Sequence, residues 1–175
     1  ISIPTAKDAM TGRDLPILTA PTHFVTGAPL KGPYPEGAEM AVFGLGCFWG
    51  AERKFWQLPG VLVTAVGYAG GPTPNPTYDE VCTGRTGHAE VVLMVFDPGT
   101  ISYDALLKTF WESHNPTIAI GSIQYRSVLF YLDEGQRVAA EASRTALAAE
   151  LGEQVVTPIE FLESFTRAED YHQKY

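Results

Sequence analysis

The sequence predicts an α+β fold in which helices cover one face of a mixed sheet. Three observations carry this reading. Apolar strand-like runs and amphipathic helix-like runs alternate as strand-helix-strand, strand-helix-strand, then helix and strand. Each crossover is long enough for parallel pairing. The 175 residues are 45% hydrophobic, enough for one sizeable core. Split βαβ units of this kind give a ferredoxin-like two-layer core, flanked here by an irregular N-terminal arm and a C-terminal extension.

Residues 1–39 contain Pro4, Pro16, Pro21, Pro29, Pro33 and Pro35, which break regular structure, so this stretch reads as an arm packed on the core. Met40–Leu45 is an apolar run of buried-strand length. Gly50–Leu58 reads as a helix closed by Pro59-Gly60. Val61–Ala69 returns as a strand. Gly70–Thr77, with its prolines and glycines, is a shaped loop, and Tyr78–Gly87 shows no clear period. Ala89–Phe96 is a strand, apolar from Val91 to Phe96, stopped by the Asp97-Pro98-Gly99 turn. Ser102 caps a helix running to Ser113, with Leu106 and Phe110 on one face. Residues 114–126 form a loop, and Ser127–Leu132 is a strand. Asp133 caps an alanine-rich helix that stops at Gly152, with Gln136 placed for a capping box. Val155–Leu162 is the last strand, and Arg167–Lys174 a short terminal helix.

The net charge of -8 opposes binding to nucleic acid and to anionic membranes. No apolar run approaches the roughly 18 residues that span a bilayer. Ile1 opens a polar segment without a signal-peptide pattern, and no Met initiates the chain, so a processed or trimmed chain is expected. Two cysteines make no disulfide framework and suit a reducing, cytoplasmic compartment.

Chemistry centres on Gly44-Leu45-Gly46-Cys47-Phe48-Trp49-Gly50. This run places Cys47 where a strand meets a helix, and helix N-termini favour the reactive thiolate. Its bland alternative is a buried core cysteine. As a dinucleotide fingerprint the run fails by one residue, and no acidic ribose ligand follows. Thr86-Gly87-His88-Ala89-Glu90 opens the apolar strand, so Glu90 stands at its mouth. Partial desolvation there would raise its pKa and let it donate a proton near neutrality. The His-x-Glu pair lacks the downstream cysteines of a zinc deaminase, and no cluster has metal-ligand spacing, so no metal is expected. A cysteine hydrolase would pair Cys47 with His88, His114 or His172. Tyr78 and Tyr125 could present phenols to the strand-end pocket.

Six ordered motifs then converge. Gly46-Cys47-Phe48-Trp49-Gly50, Gly67-Tyr68-Ala69-Gly70-Gly71, Pro74-Asn75-Pro76-Thr77-Tyr78, Gly87-His88-Ala89-Glu90, Gln124-Tyr125-Arg126-Ser127 and Ala168-Glu169-Asp170-Tyr171-His172-Gln173 together resemble the peptide methionine sulfoxide reductase A family. The resemblance implies a ferredoxin-like core, with 40–175 as the catalytic domain. It implies Cys47 as nucleophile on the sulfoxide sulfur, Phe48 and Trp49 as holders of the ε-methyl group that select the S epimer, and Glu90 as proton donor. Tyr78 and Tyr125 would hydrogen-bond the sulfoxide oxygen. Cys47 would become a sulfenic acid, a reversible rung of sulfur oxidation. The implied partners are methionine sulfoxide, in proteins or free, and thioredoxin or a similar thiol reductant. A monomer without cofactor is expected.

Two departures from the family pattern stand out. The segment Ile118-Ala119-Ile120-Gly121-Ser122-Ile123 lacks the acidic residue and Gly/Asn-rich stretch usual there. No resolving cysteine follows the Tyr-His-Gln motif, and Cys82, read as a packed cysteine, is the other thiol. Recycling is therefore expected from an external reductant that attacks the sulfenic acid directly, or from a tail beyond Tyr175. The alternatives are the cysteine hydrolase and a non-catalytic reader of oxidised methionine peptides.

Overall fold

The computed structural model describes residues 2–19 and 30–173. Ile1, Pro21, Pro29 and Lys174 lie outside the described residues. Six strands form one sheet in the order β5-β4-β1-β3-β2-β6. They are β1 Glu39–Leu45, β2 Val61–Ala69, β3 Ala89–Phe96, β4 Ser127–Tyr131, β5 Ile159–Phe161 and β6 Phe165–Arg167. Among the described residues four helices accompany them: α1 Phe48–Trp56, α2 Tyr78–Cys82, α3 Tyr103–Glu112 and α4 Glu134–Leu151.

Strand β3 explains the topology. All eight of its residues are buried, so it needs partners on both edges and cover on both faces. β1 and β2 supply the edges, each antiparallel to β3. β1 and β2 thus point the same way but are not neighbours, and the crossover through α1 leaves room for an inserted strand. The expected parallel pairing is corrected accordingly: the described ladders are antiparallel except β4–β5. One face of the sheet, including Phe43, Val66, Val92 and Met94, packs under Phe48, Phe55, Leu106, Phe110 and Ala140 of the helices. The other, including Val42, Ala65, Val91 and Val95, is covered by Leu30, Tyr34 and Ala38, with Leu162 and Phe165. N-terminal residues are tied down by Met10 N–H to the Arg85 carbonyl (3.0 Å) and Thr19 Oγ1 to the Ala168 carbonyl (2.7 Å).

Local chemistry sets most boundaries. β2 and β3 fall as expected, and Ser102 accepts the Ala105 N–H to cap α3. Asp133 accepts the Gln136 N–H (2.8 Å), and Gly152 ends α4 in the left-handed region. The capping box does not close there: Gln136 Oε1 takes the N–H of Leu132 (2.9 Å). A full box forms instead at α2, between Thr77 and Glu80, in the stretch without a clear period. The strand expected over Val155–Leu162 shrinks to three residues, because Pro158 has no N–H to pair. The terminal helix expected from Arg167 is replaced. Phe165–Arg167 joins the free edge of β2 and is followed by a 3-10 turn at Asp170–His172. An open strand edge offers paired backbone bonds that a short exposed helix lacks. Among the described residues, no helix is long and apolar enough to cross a membrane.

Candidate active site

Two glycines turn the chain from β1 into α1. Gly44 lets neighbouring chains come close: a Cβ there would sit 2.8 Å from Val128 Cγ1 and 3.3 Å from the carbonyl oxygens of Arg126 and Glu90. Gly46 adopts φ +100°, a region that favours glycine. Cys47 then occupies the N-cap of α1, whose first residue, Phe48, lies two residues before the expected helix start. Its side chain makes no capping hydrogen bond, and the residue is exposed. The buried-core alternative for Cys47 is therefore corrected: its thiol is open to solvent and unspent.

The first amide of a helix has no partner within the helix. Here the Phe48 N–H donates to Glu90 Oε1 at 3.1 Å. Glu90 is 1% exposed. Its other oxygen, Oε2, accepts from Gln124 Nε2 at 2.5 Å, and its own N–H donates to the Gln124 carbonyl at 2.8 Å. Burial pushes the Glu90 carboxyl up to about 7, while the two N–H donors pull the other way. A carboxyl that titrates at about 7 is thus bound to the residue that follows the thiol.

Aromatic rings line the other side. Phe48 is buried against Tyr68 and His172, with ring centroids 5.8 and 5.2 Å apart. Trp49 is half-buried, and its indole N–H donates to His172 Nδ1 at 3.0 Å. His172 must then carry its hydrogen on Nε2, and burial lowers its pKa. Its ring also packs on Tyr78 (4.3 Å) and Tyr171 (4.1 Å). Glu169 secures this corner by accepting from the Tyr68 hydroxyl and the Tyr78 N–H, each at 2.9 Å.

The Tyr78 hydroxyl lies beside Tyr125 and Cys82 and interacts with both. Burial first, and those neighbours after it, hold the Tyr78 phenol above its ordinary value. The Tyr125 phenol is raised by burial, then by Glu90 and, more weakly, by Cys47 and Cys82. Tyr125 therefore stands within electrostatic reach of both the acid and the thiol. The structure brings together Cys47, Phe48, Trp49, Tyr78, Glu90 and Tyr125, all six residues singled out in the sequence. Cys82 is not packed as expected: it is exposed at the end of α2, and its sulfur accepts from Gln124 Nε2 at 3.3 Å.

The histidines are engaged elsewhere. His88 accepts the Gly71 N–H and donates to the Thr73 carbonyl (2.6 Å), so it shapes the 70–77 loop. His114 sits between the Phe110 carbonyl and Ser127 Oγ. Among the described residues no histidine hydrogen-bonds Cys47, which removes the dyad that a cysteine hydrolase needs. Sequence reasoning missed Gln124 and Glu169 as parts of the site, and weighed His172 as a base for Cys47 where the structure makes it the partner of Trp49. Each lies in a motif quoted above, but motif position alone does not reveal which partner a side chain meets.

A free thiol beside a buried carboxyl raised to about 7, under a rim of phenols, fits an oxidoreductase working through sulfur. The comparisons with known proteins agree. The family model described as peptide methionine sulfoxide reductase matches residues 39–175. Over 99% of this chain and 84% of the relative, the sequence is 56% identical to peptide methionine sulfoxide reductase MsrA of Rhodospirillum centenum. Among solved structures, methionine sulfoxide reductase A of Corynebacterium diphtheriae superposes with a TM-score of 0.87 at 38% identity, covering 100% of this chain and 90% of that one. Reduced Mxr1 of Saccharomyces cerevisiae gives 0.76 at 29% identity, covering 81% and 86%. This chain belongs to the peptide methionine sulfoxide reductase family.

Proposed function

We propose that the chain reduces methionine-S-sulfoxide, in proteins or free, through a sulfenic acid on Cys47. The observation that carries this is the 3.1 Å bond from the Phe48 N–H to Glu90 Oε1, which couples the thiol-bearing helix start to a carboxyl that keeps its proton near pH 7. Sulfoxide oxygen leaves sulfur poorly until it is protonated. In the first half-reaction the Cys47 thiolate attacks the sulfoxide sulfur and Glu90 gives its proton to the oxygen. The S–O bond breaks, the hydroxyl passes to Cys47, and the products are the thioether, Cys47–SOH and the Glu90 carboxylate. Substrate sulfur gains two electrons and Cys47 loses two. Tyr78 and Tyr125 hydrogen-bond the oxygen as charge grows on it. Phe48 and Trp49 hold the methyl group, and fixing methyl and oxygen on opposite sides selects one epimer.

A thiol reductant of the thioredoxin kind then attacks Cys47–SOH, releasing water and forming a mixed disulfide, which its second thiol resolves. The half-reactions balance with thiols and a carboxyl alone. We place the protein in the cytoplasm as a monomer, with residues 1–39 as an arm on a catalytic domain over 40–175. The strand order β4-β1-β3-β2 supports a ferredoxin-like core.

A single-turnover experiment tests the reading. Reduced protein is mixed with each epimer of methionine sulfoxide, and methionine, free thiols and a dimedone adduct at Cys47 are measured. The expected result is one methionine per chain from the S epimer, an adduct on Cys47, and no product from the R epimer. Binding without methionine formation would mean a reader, and equal turnover of both epimers would overturn the assigned methyl site.

A further inference from the structure

Gln124 has no part in the reaction as written, yet it is clamped to Glu90 at two points. Its carbonyl accepts the Glu90 N–H at 2.8 Å, which fixes the register of the loop against the mouth of β3. Its amide nitrogen donates to Glu90 Oε2 at 2.5 Å and to Cys82 Sγ at 3.3 Å. The residue is 8% exposed, so water competes little for this amide. The other donor on the carboxyl is a backbone N–H, that of Phe48, which side-chain chemistry does not alter.

We propose that Gln124 is a positioning residue that sets the acid strength of Glu90 for proton transfer to the sulfoxide oxygen. The proposal rests on the reading of Glu90 as proton donor. Burial alone makes a carboxyl hold its proton too firmly to give it up at neutral pH. An N–H aimed at Oε2 stabilises the carboxylate that remains after transfer, and so makes the neutral acid a better donor. The other titratable groups around this carboxyl are Tyr68, across the β2–β3 register, Tyr125 in the loop, Cys47 at the start of α1, and Tyr78 and Cys82 on α2. Beyond them, Glu169 and His172 belong to the C-terminal turn. The three tyrosines stay neutral through the neutral range because each is held above its ordinary value.

The test follows single-turnover methionine formation from pH 5 to 9 in the full chain and in Gln124→Met and Gln124→Glu. Thiolate absorbance is recorded in parallel, so that ionisation of sulfur is separated from that of the acid. Loss of one charge-assisted N–H moves the alkaline limb of Gln124→Met upward by about one pH unit. Its plateau rate falls about tenfold, while KM stays within about twofold. Gln124→Glu keeps the shape but brings a second carboxyl to Oε2, and the limb moves upward at least as far. This variant carries the test if Gln124→Met does not fold. A limb that stays in place, with lowered thermal stability alone, means a structural role and overturns the proposal. A limb that moves to lower pH also overturns it, because the amide would then face Glu90 with its carbonyl. If Glu90→Gln retains the alkaline limb, the reading of Glu90 itself fails; if Glu90→Gln loses it and Gln124→Met leaves it in place, only the proposal for Gln124 fails.

Discussion

Replacing Glu90 with glutamine should make the protein more stable and nearly inactive, and the pH dependence of both effects follows from one buried proton. In the folded state the Glu90 carboxyl is raised from 4.5 to about 7, chiefly by burial. Below about pH 4.5 it is protonated in both folded and unfolded chains and contributes no pH dependence. Between about 4.5 and 7 the unfolded chain releases the proton and the folded chain keeps it, so stability falls as pH rises. Above 7 the loss is complete. At about 1.4 kcal/mol per pH unit it amounts to about 3 kcal/mol, a large share of the stability of a single domain.

Glutamine has the same shape and never ionises. Its carbonyl can still accept the Phe48 N–H, and Gln124 need only turn its amide over to meet the new N–H group. Urea unfolding of both proteins between pH 4 and 8 reads the effect. The stability difference in favour of Glu90→Gln should grow by about 3 kcal/mol between about pH 4.5 and 7 and stay flat on either side. Sulfoxide reduction should fall about 10²–10⁴-fold, as expected when a general acid is removed, and its alkaline limb should vanish. Two stability curves that run parallel across this range would show that Glu90 is not a neutral carboxyl, and the proton-donor argument would go with it.

Other substitutions probe neighbouring links. Cys47→Ser should abolish methionine formation, while Cys82→Ser, which keeps an acceptor for Gln124, should still yield one methionine per chain in a single turnover. His172→Phe removes the acceptor of the Trp49 indole N–H and should raise KM for the sulfoxide about tenfold with kcat little changed; His172→Gln, which retains an acceptor, should recover most of that loss. Gly44→Ala drives a methyl against Val128 and two backbone carbonyls and should cost about 1–3 kcal/mol in urea unfolding.

The sequence made the central elements legible because their physics is local. Ser102 and Asp133 announce helix starts through capping, Gly152 announces an end through its left-handed backbone, and the apolar run Val91–Phe96 of β3 reveals a strand buried on both faces. Where local signals compete with tertiary ones, the reading slipped. Arg167–Lys174 has helix-compatible residues, but Phe165–Arg167 found the unpaired edge of β2. The crossovers have lengths that permit parallel neighbours, and nothing local records that β3 inserts between them. The same limit applies in the site. Cys47, Glu90 and the two tyrosines were visible as chemically able residues in motifs. Gln124 was not, and His172 was visible only as a possible base for Cys47, because their importance lies in which atom each one meets, and those partners are 34 and 123 residues away along the chain.

The thiol and the acid cannot be tuned separately, because they share one helix start. The Phe48 N–H, an amide that the helix leaves without a partner, is spent on Glu90 rather than on the sulfur. In the proposed reaction, a Glu90 that ionised before substrate arrived would put its charge at the same terminus as the attacking thiolate, and two like charges oppose one another. A protonated carboxyl beside an anionic sulfur is therefore the compatible pair. In the proposed step, as the proton passes to the sulfoxide oxygen, Cys47 would lose its negative charge by taking up the hydroxyl, and the new carboxylate would inherit the N–H donors and the positive end of α1. The charge at that terminus is the same before and after the step; it changes owner. In that proposal the exchange lets the buried Glu90 give up its proton without leaving an unsupported charge in the core.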